Sequence, residues 1–158
     1  MKNLLFWLGL AVTTASGAWM VQQKEHILAD GRTVLLALLP RDPRSLMQGD
    51  YMVLRYDLAA KVPHGQLKRR GKLVVKLDAN NVGTFARLHD ATPLAADEQL
   101  IDYRNYHGLE IGAESFFFEE RTGKTFDRAK FAELKVSNEG ECLLKALCDE
   151  QRVVLKAE

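Results

Sequence analysis

Eighteen consecutive residues near the start of the chain, Leu4 to Val21 (LLFWLGLAVTTASGAWMV), carry no charge. At about 1.5 Å of rise per residue they reach the short end of what a membrane-spanning helix needs. The run divides the chain: residues 1-23 read as an N-terminal transmembrane anchor or uncleaved signal, and residues 24-158 as one soluble domain of ordinary size. Lys2 precedes the run and Gln22-Gln23-Lys24-Glu25 follows it. A cleaved signal peptide is the competing reading, because Ala15-Ser16-Gly17 offers small residues before a cut and the apolar character thins at Thr13, Thr14 and Ser16. Trp19 favours retention, since tryptophan prefers the interfacial level of a bilayer. A single short N-terminal segment of this kind leaves its start in the cytoplasm. The expected location is therefore the inner (cytoplasmic) membrane, single-pass, with the C-terminal domain extracytoplasmic, in a periplasm or its equivalent.

Charge removes one large class of partner. Lysine and arginine total 22 against 21 aspartate and glutamate, so no net field steers the chain to nucleic acid. With 27% charged residues and a mean hydropathy of −0.19, the rest describes a soluble globular domain. Cys142 and Cys148 are the only cysteines. On an extended run their Cα atoms stand ~20 Å apart at ~3.3 Å per residue, far beyond a disulfide's reach of roughly 4.4–6.8 Å, so both are expected as small buried or half-buried thiols, the alternative being a disulfide across a tight reversal between them.

The domain is organised around Gly49-Asp50-Tyr51-Met52-Val53-Leu54-Arg55-Tyr56. Gly49 and Asp50 are turn formers, and an extended segment follows. Side chains alternate along a strand, which puts Met52, Leu54, Tyr56 and Leu58 on a core face and Tyr51, Val53, Arg55 and Asp57 on the other. Tyr56 is expected in the core with its hydroxyl reaching a partner at the rim.

Other segments read as strands and turns. A polar connector with a turn at Asp30-Gly31 leads to Thr33–Leu39, a continuous apolar run suited to a fully buried strand that Pro40 ends. Pro40-Arg41-Asp42-Pro43-Arg44 is a surface loop. Ala60 to Gly71 is a polar connection whose Lys68-Arg69-Arg70 reads as solvated surface. Lys72–Asp78 alternates and returns through Asn80-Asn81 into Thr84–His89, and Leu100–Tyr106 follows a loop. Gly108–Glu120 carries Phe116, Phe117 and Phe118, which suit a strand buried on both sides. Arg121-Thr122-Gly123-Lys124 is a turn, and Asp127–Glu133 is expected as a short helix capped by Asp127. Leu134-Lys135-Val136, a turn at Asn138-Glu139-Gly140, Leu143–Leu147 and Val153-Val154-Leu155 close the domain. The expected fold class is mainly β: one small β-sheet, barrel-like or sandwich domain after a single N-terminal transmembrane helix, with at most one or two short helices.

Gly49, Asp50, Tyr51, Leu54 and Tyr56 together resemble the signature of the GDYXXLXY family. Pro40-Arg41-Asp42-Pro43-Arg44-Ser45-Leu46 is similar to that family's approach to the motif, and the Glu114–Lys124 segment to its later aromatic block. The resemblance implies a small protein with one N-terminal hydrophobic segment and implies no particular activity.

Compact zinc sites need ligands two to four residues apart, and His26, His64, His89 and His107 have no such spacing to one another or to a cysteine. No Gly-rich phosphate loop, nucleophile elbow or HExxH is present. No catalytic residue, cofactor or metal is expected. Signal peptidases of the serine/lysine type also place a Gly-Asp turn before a strand, and Arg70-Gly71-Lys72-Leu73-Val74-Val75 is loosely similar to their second hydrophobic strand. Ser45 is the only serine near the turn, and Lys61, Lys68 and Lys72 read as exposed, hence poor bases. The leading expectation is a non-enzymatic binding or accessory module for another membrane or envelope protein. Its interaction surface is expected at Arg41, Asp42, Arg44, Asp50 and Tyr51, and a small-molecule or lipid-binding domain is a further alternative.

Overall fold

In the computed structural model, residues 2–39, 51–119 and 122–156 are described, without the side chains of 2–5 and 64. The Pro40–Arg44 loop, Ser45, the Gly49-Asp50 turn and Arg121 of a later turn lie outside them.

Helix α1 (Lys2–Asp30) runs into a domain of nine strands, β1 (Arg32–Ala37), β2 (Tyr51–Val53), β3 (Arg70–Leu77), β4 (Val82–Leu88), β5 (Glu98–Asn105), β6 (Leu109–Glu110), β7 (Ser115–Phe117), β8 (Phe131–Val136) and β9 (Cys142–Cys148). Among the described residues α1 is followed by two short α-helices, α2 (Asp57–Lys61) and α3 (Gly123–Phe126), and a 3-10 turn at His64–Gln66. The fold is thus mainly β, as the alternating sequence implies. Seven strands form one sheet in the order β6-β5-β3-β4-β1-β8-β9, and β2 and β7 form a separate ribbon.

Every neighbour in the large sheet is antiparallel except β1 with β4. The continuous apolar run predicted near residue 33 is β1, and Val34, Leu35 and Leu36 are all buried, as a central strand covered on both faces requires. The sheet curls into a half-barrel. Three strands separate β5 from β8 in the order, yet the Asp102 amide donates to the Gly140 carbonyl (2.8 Å), Gln99 Nε2 donates to the Ser137 carbonyl (2.9 Å), and Arg32 donates to the carbonyls of Glu98 and Ala96 (3.0 Å each). A flat sheet cannot make those contacts. Register breaks between Val74 and Val75 and between Glu133 and Leu134 lie on strands flanking the bend, where bulges raise local twist.

The concave side is filled by Leu36, Leu73, Val75, Ile101, Leu134 and Leu147, all with no exposed surface, and the β2–β7 segment covers it with Met52, Leu54 and Tyr56. At ~25 cal/mol per Å2 of apolar area, each such side chain contributes about 1.5–3 kcal/mol, so this face dominates the stability.

α1 touches the sheet only through its last turns. Residues 6–26 are exposed, and Phe6, Trp7, Leu8, Val12, Trp19 and Met20 stand roughly 60% open. The polar connector expected after residue 23 is instead helical to Asp30, with His26 and Asp30 paired at 2.5 Å across one turn. Among the described residues no helix is long and apolar enough to cross a membrane, and the expected run begins with Leu4 and Leu5, whose side chains lie outside them. Gly31 alone joins α1 to β1, and a Cβ there would lie 2.3 Å from the Ile27 carbonyl oxygen and 3.2 Å from the Val136 backbone. Lys24 pairs with Glu141 and Lys135 Nζ donates to the Gly31 carbonyl (3.0 Å), tying the helix end to the β8–β9 hairpin.

Four expectations are corrected. No helix forms at the expected Asp127–Glu133: α3 lies before it and ends at Phe126, and β8 begins at Phe131. The two-residue alternation of buried Ala132, Leu134 and Val136 commits that stretch to a strand, while Phe126 anchors α3 in the core. The motif strand ends early, because the chain turns into α2 at Asp57. Gly108–Glu120 is broken into β6 and β7 at Gly112, whose φ is +82°, and the segment is not buried on both sides. The closing Val153-Val154-Leu155 makes a single bridge, Val154 to Cys148, rather than a strand.

Candidate functional site

The motif lies on the β2–β7 ribbon. Tyr51 pairs with Phe117, Met52 with Phe116 and Val53 with Ser115, and the Leu54 amide donates to the Glu114 carbonyl (2.7 Å). Strand alternation then divides the residues by face. Met52, Leu54, Tyr56 and Leu58 are buried, as the spacing predicts, while Tyr51 and Val53 are 47% and 56% exposed. The Tyr56 hydroxyl donates to the Ala113 carbonyl, which anchors the motif to the connection between β6 and β7. Burial pushes the Tyr56 phenol well above its usual value, and the carboxylate of Glu114 and the Cys142 thiol add to the effect.

On the opposite strand, Phe116 packs against Phe126 with ring centres 4.9 Å apart, and Phe118 lies 5.7 Å from the same ring. Phe117 points the other way. It is 73% exposed, with its ring centre 5.8 Å from Tyr51. Tyr51, Val53 and Phe117 therefore form an outward aromatic and aliphatic patch on a short, open ribbon. Glu114 builds the turn that delivers β7: its carboxylate accepts the amides of Ile111 and Gly112.

Of the residues expected at an interaction surface, Tyr51 is on this patch, and Arg41, Asp42, Arg44 and Asp50 lie outside the described residues. Phe117 was not anticipated. Its signal was available: three consecutive aromatics on one strand cannot all face the same side, so the middle one opposes its neighbours. Beside the ribbon, a cavity of about 250 Å3 lies between Leu38, Met52, Leu54, Phe126 and Ala129, with Arg55 and Lys130 at its mouth.

Nucleophilic chemistry finds little among the described residues. Cys142 and Cys148 are free and buried, and the Cys142 thiol is pushed up to about 12 by burial, then by Asp102, Glu114 and Glu141, so it holds its proton. Lys61 pairs with Asp57 (2.6 Å) and Lys72 with Asp102 (3.2 Å), and Lys68 is exposed, so none is the desolvated base that a serine/lysine pair needs. Among the described residues no group of three or more His, Cys, Asp or Glu side chains is placed to hold a metal ion.

A protein-family model described as GDYXXLXY protein matches residues 13–147. No curated protein and no solved structure matches the chain.

Proposed function

The chain belongs to the GDYXXLXY family, and within it we propose the role of a membrane-tethered, extracytoplasmic β domain that binds another membrane or envelope protein without catalysis. The carrying observation is α1: from Phe6 to Val21 its side chains are exposed on every side, and the domain covers none of them. Exposing a Leu, Phe or Met side chain to water costs about 1.5–3 kcal/mol each, so a helix of this composition needs an apolar surrounding, and a bilayer supplies it without a matching partner face. Trp7 and Trp19 lie near the two ends of that stretch, the levels at which indole rings favour membrane interfaces. The Tyr51–Val53–Phe117 patch supplies the docking face, since paired, open aromatics are the residue types that anchor interfaces.

Fractionation of cells expressing the full chain, with the mass of the mature product, tests the tether. A full-length product retained in carbonate-washed membranes is expected; a soluble product shortened past Val21 overturns it. A photo-crosslinking residue at position 117 tests the docking face. One discrete adduct in intact membranes is expected, and an adduct pattern identical to that from an exposed site elsewhere, such as position 153, removes the patch from the proposal.

A further inference from the structure

The half-barrel has an open side. Between the β5–β6 end of the sheet and the start of β9 lies a cleft of about 660 Å3, and Lys24 of α1 lines it. Its floor is apolar, with Tyr103, Ile111 and Leu143, and its wall is charged. Lys72 pairs with Asp102, and Lys24 with Glu141. Arg70 and Arg104 stand directly opposite each other on β3 and β5, an arrangement that is destabilising for like charges. Among the described residues neither arginine forms an ion pair: Arg70 Nε donates to the Tyr106 hydroxyl at 3.1 Å, and Arg104 lies in register with Glu110 without bonding to it. Two guanidinium groups thus line one cleft outside any ion pair among the described residues, Arg70 resting 6.0 Å from the Tyr106 ring centre and Arg104 with the Glu110 position directly across from it.

The position along α1 sets the depth of the cleft. Lys24 comes three residues after Val21, the end of the uncharged run, which is ~4.5 Å at ~1.5 Å per residue. With α1 in a bilayer, the cleft opens at the headgroup layer. We propose that it seats a zwitterionic phospholipid headgroup, the phosphate between Arg70 and Arg104 and a primary ammonium against Glu110. Guanidinium forks bind phosphate oxygens in bidentate fashion, which relieves the repulsion between the two arginines. The ammonium follows from charge balance: with Lys72–Asp102 and Lys24–Glu141 paired, the lining keeps Arg70 and Arg104 against Glu110 and Glu139, so a purely anionic group on the arginines leaves both carboxylates unmatched. This inference rests on the membrane reading above.

The test uses the full chain in mixed micelles holding equal amounts of phosphatidylethanolamine, phosphatidylcholine and phosphatidylglycerol, with retained lipid read by native mass spectrometry. Preferential retention of the ethanolamine lipid is expected. The Arg70→Gln/Arg104→Gln variant loses it about tenfold or more, and Lys76→Gln, an exposed change outside the cleft, does not. In lipid-free detergent Arg104→Gln alone melts within a few degrees of the parent, because it removes the like charge opposite Arg70 and the opposite charge facing Glu110 together, so the lost retention is not a folding defect. Equal retention by the double variant and the parent overturns the inference, as does preference for phosphatidylglycerol. Equally tight binding of inorganic phosphate alone would make the cleft a free-phosphate site, and a co-purifying peptide would make it a strand-acceptor. A chain that fractionates with membranes yet retains no lipid sinks this inference alone; a chain that never enters membranes sinks both.

Discussion

Tyr56 and Cys142 share a core with no route for a negative charge, and pH is the variable that exposes this. Both groups have folded-state values raised above their unfolded ones, Cys142 from about 9 to about 12. Their contribution to stability is fully present below the unfolded value. It is lost as pH rises, because the unfolded chain releases protons that the folded chain retains. The urea midpoint should therefore fall between pH 8.5 and 11, and Cys142→Ala with Tyr56→Phe should flatten that decline. An unchanged slope in the double variant would assign the alkaline loss elsewhere. At pH 7 Tyr56→Phe alone should cost about 1–2 kcal/mol, since it strands the Ala113 carbonyl. The acid side has a different owner. Asp78 accepts the amides of Val82 and Asn80 (2.8 Å each), and these bonds, Val82's first, hold its carboxyl below the usual carboxylate range. That contribution is present above the unfolded value near 4 and fades as pH falls through the lower folded one.

At the scale of elements, phenylalanines on α3 and β7 make opposite predictions. Phe126→Ala should remove about 3–5 kcal/mol, since the ring is buried between Phe116 and Phe118, whereas Phe117→Ser should shift stability by no more than about 0.5 kcal/mol. Thermal melts of the two variants check this, and a large loss at Phe117 would mean that the patch is structural. Gly31→Ala should lower the melting temperature by several degrees, because its Cβ meets backbone that cannot swing aside as a side chain can. What the sequence made legible follows the same division. Lys72–Leu77 is visible as a strand although Leu73, Val74 and Val75 are buried in a row rather than alternately, and the buried run at Val34–Leu36 is visible because its hydropathy and burial agree. The motif's inward face at Met52, Leu54 and Tyr56 is visible for that reason too. Alternation sets Phe117 against Phe116 and Phe118, but a triple aromatic is apolar whichever way the strand is turned, and which side faces out is set by pairing with Tyr51, a partner 66 positions away. The helix expected at Asp127 failed because cap and alanine signals are local, while β8 is fixed by pairing with both β1 and β9.

The whole molecule is an exposed apolar helix set on a curled sheet, and the two are joined through one glycine and braced by Lys24–Glu141 and Lys135. Neither the curl nor the cleft is visible in residue patterns, because both arise from contacts such as Asp102 to Gly140 between strands that are distant in the sheet order. Brace and cleft share Lys24, so Lys24→Ala should loosen the helix end and weaken lipid retention together; hydrogen exchange at Ile27–Gly31 and native mass spectrometry read the two effects on one sample.

The single parallel pairing, β1 beside β4, also fixes an order of events. β1 is the first strand to leave the ribosome, yet its antiparallel neighbour β8 pairs Ala37 with Phe131, which is 94 residues later. At ~5–20 residues per second of synthesis, Val34-Leu35-Leu36 waits roughly 5–20 s for that partner, longer than a small sheet needs to collapse. Until β8 emerges, a nascent chain of this design carries one edge of its most apolar strand unpaired, with the parallel strand β4 as its earlier neighbour, beside the exposed apolar helix. Its yield should therefore depend on holding factors far more than its final stability would suggest.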